Sequence, residues 1–287
     1  LERSRARAGN SGRMHVLLIT GCSTGIGRAL AKEAARLGHQ VFATARRPEA
    51  LADLASERLT PLPLDVTSEA SVSTAVTTVI EQAGAVDVLI NNAGVSMTGP
   101  LAEAPLERVR QTLETNVVGL LAVTQAVFPH MAERRRGRII NIGSVVGLLT
   151  TPYAGAYCAS KAAVHALSES LRMECAPFGI DVVEVQPGGV RSQLAAGNLL
   201  DLDRYRKEQS FYRPFVAGIE KRAVASQQAP MDTDRFARVV LAQALARRAP
   251  RILRAGRGAR ALPALVKLPG PLRDRLLRQQ FGLSTKD

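Results

Sequence analysis

The sequence predicts an α/β protein built on a doubly wound, mainly parallel sheet. Seven short β-branched or apolar runs alternate with longer segments of helical periodicity. Several of the short runs are apolar at both alternating positions, which is typical of parallel strands covered by helices on both faces. No repeat or linker-like stretch divides the 287 residues, so we expect a single domain with about seven parallel strands.

The predicted elements follow one another along the chain. The strands cover residues 15–20, 40–45, 59–65, 86–92, 138–144, 181–187 and 251–256. The helices lie near residues 25–38, 67–83, 105–134, 153–177 and 232–248. These limits agree with the punctuation, because Thr67 or Ser68 can cap the second helix, and glycines stand where helices should stop, at Gly38, Gly84 and Gly179.

The net charge of +13 is concentrated at the two ends of the chain. Residues 1–13 hold four arginines against one glutamate, and residues 247–287 hold eleven basic side chains against two acidic ones. The middle of the chain is therefore nearly neutral. Binding of nucleic acid or anionic lipid is a hypothesis about the ends alone, and a solvated arginine-rich surface is the alternative.

The cysteines and the apolar runs predict where the protein resides. The sequence contains no run of eighteen apolar residues, so we expect no transmembrane helix. No apolar signal segment follows the basic start either. Cys22, Cys158 and Cys175 have neither CxxC nor metal-ligand spacing. We therefore expect free thiols, no metal site and a reducing, cytoplasmic location.

A glycine-rich loop follows the first predicted strand. The stretch TGCSTGIG, residues 20–27, leads directly into a helix. Gly21 permits a tight turn, Gly25 lets the backbone approach a pyrophosphate, and Gly27 allows close packing of the helix on the strand. The spacing is GxxxGxG rather than GxGxxG, and such a loop could be a plain turn. Its place between strand and helix predicts a dinucleotide site.

The end of the second strand predicts NADP(H) as the dinucleotide. An acidic residue there would accept the adenosine ribose hydroxyls and repel a 2′-phosphate. The chain instead has Ala45 followed by Arg46 and Arg47, and a guanidinium can pair a phosphate through two parallel hydrogen bonds. The alternative is that these arginines are ordinary exposed charges.

Tyr157 stands four positions before Lys161 in a chain with only four tyrosines. On a helix this spacing puts both side chains on one face, a turn apart. An unperturbed tyrosine titrates at about pH 10, and a neighbouring cation favours the phenolate and lowers the pKa. The pair therefore predicts a proton-transfer group, with ordinary helix surface as the alternative.

Seven separated motifs occur in the order of the short-chain dehydrogenase/reductase family. The chain resembles this family over about residues 14–256, nearest the hydroxysteroid dehydrogenases and the acyl-dihydroxyacetone-phosphate reductases. The resemblance implies a Rossmann-type fold and an NADP(H)-dependent oxidoreductase acting on a carbonyl or a secondary alcohol. The motifs are TGCSTGIG (20–27), LDVT (64–67), NNAG (91–94), Asn116 in ETNVVG, Ser144 in NIGS, YCASK (157–161) and PGGVRS (187–192).

The resemblance implies four catalytic residues. Tyr157 would donate or accept the proton, and Lys161 would lower the pKa of Tyr157 and hold the nicotinamide ribose. Ser144 would hydrogen-bond the substrate oxygen beside Tyr157. Asn116 would anchor a water molecule that relays protons to Lys161.

The resemblance also implies a set of cofactor-binding residues. Asp65 would contact adenine, unless it only caps a strand end, and Asn92 would lie under the adenosine ribose. Pro187, Gly188 and Val190 match the segment that contacts the nicotinamide carboxamide. The complete set is Gly21, Ser23, Thr24, Gly25, Ile26, Gly27, Arg46, Asp65, Val66, Asn92, Ala93, Gly94, Tyr157, Lys161, Pro187, Gly188, Val190 and Ser192.

Residues 190–231 match the place of the family's substrate lid. Four of the eleven Phe and Tyr residues fall within it: Tyr205, Phe211, Tyr212 and Phe215. Such a concentration favours a bulky lipophilic substrate and a role in lipid metabolism, with a local mini-core as an equal alternative. The arginines of this stretch could meet an acidic group on a substrate, although a solvated face is the simpler interpretation: Arg191, Arg204, Arg206 and Arg213.

The domain layout follows from these assignments. We expect a disordered basic arm at 1–13, a dinucleotide-binding and catalytic domain at 14–256, and a basic amphipathic segment at 257–287. The last segment mixes leucines with basic residues and is broken by Pro269 and Pro271. It could touch an anionic membrane peripherally, or pack on a partner subunit or on the body of the chain.

Two further expectations concern partners. The resemblance implies a homodimer or homotetramer joined through the long helices near 105–134 and 153–177. The alternative function is an NADP(H)-sensing regulatory or nucleic-acid-binding protein on the same fold, since fold does not fix function. Nucleic-acid binding is disfavoured, because the nearly neutral middle of the chain offers no basic face large enough to match a groove of a nucleic acid.

Overall fold

A computed structural model describes residues 14–193 and 202–283, so the expected arm at 1–13 lies outside the described residues. Seven parallel strands form one sheet in the order β3-β2-β1-β4-β5-β6-β7, which confirms the predicted fold class. The strands are β1 (Val16–Ile19), β2 (Gln40–Ala45), β3 (Leu59–Pro63), β4 (Val88–Asn91), β5 (Gly137–Ile142), β6 (Ile180–Pro187) and β7 (Ile252–Ala255).

Helices cover both faces of this sheet. Within the described residues, none of them is long and apolar enough to cross a bilayer. The helices are α1 (Gly25–Arg36), α2 (Glu69–Ala83), α3 (Leu106–Leu113), α4 (Gly119–Glu133), α5 (Gly155–Cys175), α6 (Leu202–Arg206), α7 (Val216–Val224), α8 (Thr233–Ala244) and α9 (Gly270–Gln280).

The core is divided by the sheet into two layers. Leu17 and Ile19 of β1 pack with α1 and α8 on one face, whereas Leu18 packs with α2 and α4 on the other. Because side chains alternate along a strand, a strand buried on both faces needs apolar residues at every position. The continuous apolar runs in the sequence have this cause.

The strand order reverses beside β1. The chain runs outward through β2 and β3, then returns to place β4 against the free side of β1, with Ile19 beside Ile90. Ligands of doubly wound sheets bind at such a switch point, outside the carboxyl ends of the strands. The glycine loop after β1 and the NNAG motif after β4 therefore meet at one place.

The single helix expected at 105–134 is two helices joined by one π-helical turn, Glu114–Val118. A π turn holds one residue more than an α turn, and such turns occur frequently at functional sites. Asn116 lies inside this turn and is fully buried. Periodicity alone gave no sign of the extra residue.

The C-terminal segment is helical on both sides of a break at Pro269, as expected: a 3₁₀ helix, Leu262–Lys267, ends before this proline, and α9 begins after it. Pro269 is the N-cap residue of α9, and Pro271 lies in its first turn, where a missing N–H removes no helical hydrogen bond. Leu277 and Phe281 are buried against the body of the chain. A Cβ on Gly218 of α7 would collide with the Phe281 carbonyl oxygen, so α7 and the end of α9 touch backbone to backbone.

The aromatic residues of the expected lid form a small core of their own. Tyr205, Tyr212 and Phe215 pack with Ile219 of the lid and with residues from outside it, and Tyr205 has no solvent exposure. These partners are Leu149, Tyr153, Ile219, Leu277 and Phe281. The mini-core alternative therefore describes these three aromatics, whereas Phe211 is 89% exposed. Residues 194–201 of the expected lid lie outside the described residues.

Candidate active site

The glycine loop lies directly on the end of β4. Gly21 and Gly25 have left-handed backbones, with φ of 70° and 58°, a conformation that favours glycine. A Cβ on Gly21 would lie 2.7 Å from the Ala93 Cα, and one on Gly27 would collide with the Asn92 side chain. The Thr24 side chain makes no cap hydrogen bond to α1, so the first N–H groups of α1 remain available for phosphate oxygens.

Asn92 and Thr20 fasten the loop to β4. The Asn92 Nδ2 donates to the carbonyl oxygens of Thr20 and Gly21, both at 2.9 Å. The Thr20 Oγ1 accepts from the backbone N–H groups of Asn92 and Ala93, at 3.0 and 2.9 Å. Both amide donors of Asn92 are thus used to hold the loop in its conformation.

A cleft of about 710 Å³ opens at this point. It brings together most of the predicted cofactor-binding residues, whereas Gly27, Tyr157, Lys161, Pro187, Gly188 and Val190 are not in its lining. The predicted residues that do line it are Gly21, Ser23, Thr24, Gly25, Ile26, Arg46, Asp65, Val66, Asn92, Ala93, Gly94 and Ser192.

The opposite wall of the cleft was missed from the sequence. It is formed by polar residues of α3 and the π turn, among them Arg110, Gln111 and Glu114. An exposed polar helix face has the same composition whether or not it borders a cleft, so the sequence carried no signal for it.

The segment after β6 lies beside the cleft. Val190 is buried and pairs with Met231 as an isolated bridge, and the Gly188 N–H donates to the Ala255 carbonyl at the end of β7. Ser192 borders the cleft itself, and its N–H donates to the Gln227 Oε1 at 3.1 Å. Pro187 is thus the last residue of β6, and Gly188 and Val190 follow it where the chain passes from the sheet into the lid.

One end of the cleft carries Arg46 beside Asp65. The backbone N–H and hydroxyl of Thr67 donate to the Asp65 Oδ1, at 3.0 and 2.8 Å. These hydrogen bonds, with a contribution from the Arg46 charge, hold the pKa of Asp65 below its usual range. Asp65 thus has the capping role and also borders the cleft. Among the described residues no carboxylate forms an ion pair with Arg46, which leaves its guanidinium available to a phosphate.

Ser144, Tyr157 and Lys161 meet at the carboxyl end of β5. The Ser144 side chain lies close enough to the Tyr157 hydroxyl to lower its pKa. The Lys161 Nζ lies 5.8 Å from the centroid of the Tyr157 ring and donates to the Ile142 carbonyl at 2.8 Å. The predicted proton donor, its serine partner and the lysine are therefore assembled as neighbours.

Burial dominates the titration of this group. It raises the pKa of Tyr157 to about 12, against lowering by the Arg222 charge and the nearby Ser144 side chain. Burial also lowers the pKa of Lys161 to about 8. In the protein alone the cation that lowers the Tyr157 pKa is Arg222, whereas the sequence pointed to Lys161. A charged residue from the lid was not expected at this place.

Asn116 joins the end of β4 to α5. Its Nδ2 donates to the Val95 carbonyl and to the Ser160 Oγ, both at 2.9 Å, and its Oδ1 accepts from the Val95 N–H at 2.8 Å. Ser160 in turn donates to the Tyr157 carbonyl. The side chain thus positions the first turns of α5, and the proton-relay role of Asn116 stays a prediction.

A buried polar chain lies behind Ser144. The His165 Nε2 is 3.2 Å from the Glu184 Oε1 and accepts from the Ser144 N–H at 3.5 Å. Gln186 donates to Glu184, and the Arg254 Nε donates to Gln186 at 2.7 Å. Burial lowers the pKa of His165 to about 4 and raises that of Glu184. The hydrogen bond from the Ser144 N–H lets His165 support the backbone at Ser144.

The family of the chain follows from a comparison with known proteins. A model of the short chain dehydrogenases matches residues 15–202, the region that holds the glycine loop, Asn116, Ser144, Tyr157 and Lys161. The chain belongs to the short-chain dehydrogenase/reductase family. Its fold is thus one that binds nicotinamide dinucleotides.

Two curated relatives are similar over much of the chain. A 3-ketodihydrosphingosine reductase of Bacteroides thetaiotaomicron is 43% identical over 173 residues, which cover 60% of this chain and 63% of that protein. The NADPH-dependent 1-acyldihydroxyacetone phosphate reductase of Schizosaccharomyces pombe is 38% identical over 207 residues, covering 69% and 68%. The first match thus spans less than two thirds of the relative's length.

Solved structures of this family share the fold over nearly the whole chain. A short-chain dehydrogenase from Streptomyces avermitilis has a TM-score of 0.77 at 33% identity, covering 94% of this chain and 97% of that one. One from Burkholderia cenocepacia, in complex with NADP, has a TM-score of 0.73 at 26% identity, covering 92% and 98%. One from Burkholderia phymatum, in complex with NAD, has a TM-score of 0.75 at 26% identity, covering 96% and 97%.

Replacing Lys161 by Met should change how stability depends on pH. Burial lowers the pKa of Lys161 to about 8 in the folded protein, whereas an unfolded lysine titrates at about 10.4. Between these values the unfolded chain holds more protons, so the wild-type protein gains stability as the pH rises. From about pH 7.5 to about pH 9.5 this gain is about 2 kcal/mol, and the variant should lack it.

Urea denaturation at both pH values measures the gain. Lys32 is exposed on α1, so a Lys32→Met variant should respond to pH as the wild type does. If Lys161→Met also responded as the wild type does, the lysine would keep an ordinary pKa in the folded protein.

Proposed function

We propose that the protein is an NADP(H)-dependent oxidoreductase that reduces a carbonyl group, or oxidises the matching secondary alcohol, on a bulky lipophilic substrate. One observation carries this proposal: Ser144, Tyr157 and Lys161 are neighbours at the carboxyl end of β5, and Asn116 joins this end of α5 to Val95 in the lining of the glycine-loop cleft. The bound nicotinamide would supply or accept the hydride. The chain would bind and orient the cofactor and the substrate, and it would move one proton.

The proton would come from Tyr157. Because burial raises the pKa of this hydroxyl to about 12, it carries its proton at neutral pH. The Ser144 hydroxyl would hold the carbonyl oxygen, and the Tyr157 proton would pass to that oxygen as the carbonyl carbon gains hydride. The phenolate left behind would be stabilised by the positive charges of Lys161 and Arg222 until solvent protons restore the hydroxyl. Because Tyr157 holds the proton that reduction requires, we expect the protein to act as a reductase at neutral pH.

The preference for NADP(H) is supported by Arg46. The arginine borders the cleft at the end of β2, while Thr67 engages the carboxylate of its neighbour Asp65. An unpaired guanidinium at this place suits a 2′-phosphate. The relative from S. pombe is named as NADPH-dependent, and the B. cenocepacia structure holds NADP.

A lipophilic substrate is supported by two kinds of observation. The two relatives are named for reduction of 3-ketodihydrosphingosine and of 1-acyldihydroxyacetone phosphate. Exposed apolar residues also surround the start of α5: Leu101 packs over Gly155, and the backbone of exposed Phe211 donates to Glu103 at 2.8 Å. Apolar groups around the approach to Tyr157 suit an acyl chain.

The alternative function, an NADP(H)-sensing regulatory or nucleic-acid-binding protein, has no support from the family match or from the relatives described above. We do not propose it.

We further propose a homodimer or homotetramer that contacts membranes peripherally. Apolar side chains left exposed next to α4 and on α5, such as Val118 and Met173, support assembly through these helices. On α9, Leu272 and Leu276 are exposed beside Arg275 and Arg278. Exposed leucines among basic residues suit an anionic membrane surface.

Replacing Tyr157 by Phe should lower kcat for any carbonyl substrate by roughly 100- to 10,000-fold, because no other group can give the proton at that point. NADPH binding, followed by its fluorescence, should persist. Tyr212→Phe, in the small core of the lid, provides a control that should keep its turnover. Full activity of Tyr157→Phe would refute the proposed mechanism.

Replacing Arg46 by Asp should reverse the cofactor preference. The loss of a charge-assisted hydrogen bond and the new repulsion should raise KM for NADPH roughly 10- to 100-fold, while NADH improves. Arg47→Asp is the matched control, since Arg47 is equally exposed but does not border the cleft. Steady-state kinetics with both cofactors measures the ratio, and an equal effect of the two variants would argue against a phosphate contact at Arg46.

Sedimentation tests the assembly proposals. The protein alone should sediment as a dimer or tetramer, and it should pellet with vesicles that contain anionic phospholipid but not with neutral ones. A Leu272→Ser, Leu276→Ser variant should remain in the supernatant and keep its turnover. A monomeric mass, or equal pelleting with neutral vesicles, would overturn the respective proposal.

A further inference from the structure

Arg222 is a buried cation on the lid helix α7. The buried face of this helix consists of Gly218, Ile219, Arg222 and Ala223, which is an apolar helical stripe apart from one guanidinium. Arg222 is only 8% exposed. A charge placed within an apolar stripe was the available signal in the sequence, yet the arginines considered there were those of the exposed lid surface.

The guanidinium lies against the catalytic corner. Its Nε donates to the Thr151 Oγ1 at 2.7 Å, and the guanidinium also lies close to the Cys158 sulfur. The positive charge of Arg222 lowers the pKa of the Tyr157 hydroxyl. Thr151 precedes α5, and Cys158 follows Tyr157 directly, so Arg222 approaches the tyrosine from the side of the lid.

Arg222 lacks the carboxylate partner that Arg206 and Arg213 of the same lid have. Arg206 pairs with Asp203 and Glu220, and Arg213 lies 3.8 Å from Glu208. In the described part of the chain no acidic side chain lies within ion-pair distance of Arg222, and its known partners are one hydroxyl and one sulfur.

A buried charge without a counter-charge is unfavourable, and such groups normally pair with an opposite charge. Thr151 and Cys158 leave part of the five-donor fork of the guanidinium unused. A guanidinium with free donors, held at a fixed angle by Thr151, is well suited to bind a planar carboxylate or a phosphate. The missing counter-charge is therefore supplied naturally by a ligand.

We propose that Arg222 binds an anionic group of the substrate, a carboxylate or a phosphate, attached close to the carbon that exchanges hydride. This inference rests on the proposed function, because it assumes that the substrate oxygen meets Ser144 and Tyr157. The hydrogen bond to Thr151 and the charge interaction with Tyr157 place the guanidinium on the lid side of that oxygen. The substrate class is then a lipophilic ketone or alcohol with an acidic group next to the reacting carbon.

Matched substrate pairs test this specificity. The phosphate arm compares a 1-acyldihydroxyacetone phosphate with the same molecule lacking the phosphate, and the carboxylate arm compares a long-chain 3-oxo acid with its methyl ester. Wild-type protein should prefer the anionic member of at least one pair by tenfold or more in kcat/KM, mainly through KM. Arg222→Met should reduce that ratio at least tenfold, because a charge-assisted hydrogen bond is lost.

Arg206→Met provides the matched control in the same lid. Arg206 is exposed and already paired within the lid, so this variant should keep both the turnover and the ratio. Arg222→Lys keeps the charge without the fork and should restore part of the preference. A wild-type ratio near one in both arms, or an equal loss for both members of a pair, would overturn the inference while leaving the oxidoreductase function intact.

A binding measurement covers the case in which no chosen ketone turns over or Arg222→Met folds poorly. With NADPH present, decyl phosphate or decanoate should raise the melting temperature of the wild-type protein more than methyl decanoate does. Thr151→Val, which removes the hydroxyl that orients the guanidinium, should weaken this difference. Equal shifts with the charged and the neutral probe would also overturn the inference.

Discussion

The burial of three ionisable side chains in one corner governs the chemistry of this fold. Burial is the largest influence on Tyr157, Lys161 and Arg222 alike: it raises the pKa of the phenol and lowers the pKa of both cations. Within the described residues neither Lys161 nor Arg222 has a carboxylate partner, so their positive charges favour an incoming negative charge. A developing alkoxide, an acidic substituent of the substrate or the phosphates of a dinucleotide would each relieve this imbalance. The same positive charges would thus contribute to ligand binding and to stabilising the negative charge that develops during the reaction.

Such a corner needs a rigid frame, and amide side chains provide much of it. Asn92 holds the glycine loop against β4, and Asn116 ties the next stretch of chain to the start of α5. Behind Ser144, His165 and Glu184 form a buried pair that reaches its backbone N–H. Asn92 and Asn116 use their amide groups within the protein, which keeps the neighbouring loop and the start of α5 in fixed positions.

Much of this architecture could be predicted from the sequence because local patterns encode it. Strands buried on both faces require continuous apolar runs, and Gly21 and Gly25 are needed where the backbone turns left-handed beneath a phosphate site. Arg222 and the partner of His165 could not be predicted in this way, because their contacts join segments far apart in the chain. The π turn at 114–118 escaped for another reason: one extra residue in a helix hardly alters its periodicity.

The backbone contact between Gly218 and Phe281 links the C-terminal helix α9 directly to the lid helix α7. Because no side chain separates the two segments, a displacement of α9 would shift α7 and with it the Arg222 guanidinium. A lipid leaflet, a neighbouring subunit or a purification tag that binds the outer surface of α9 would therefore change the position of α7 relative to the active site. The rate at which large molecules enter and leave would then be set partly from outside the catalytic domain.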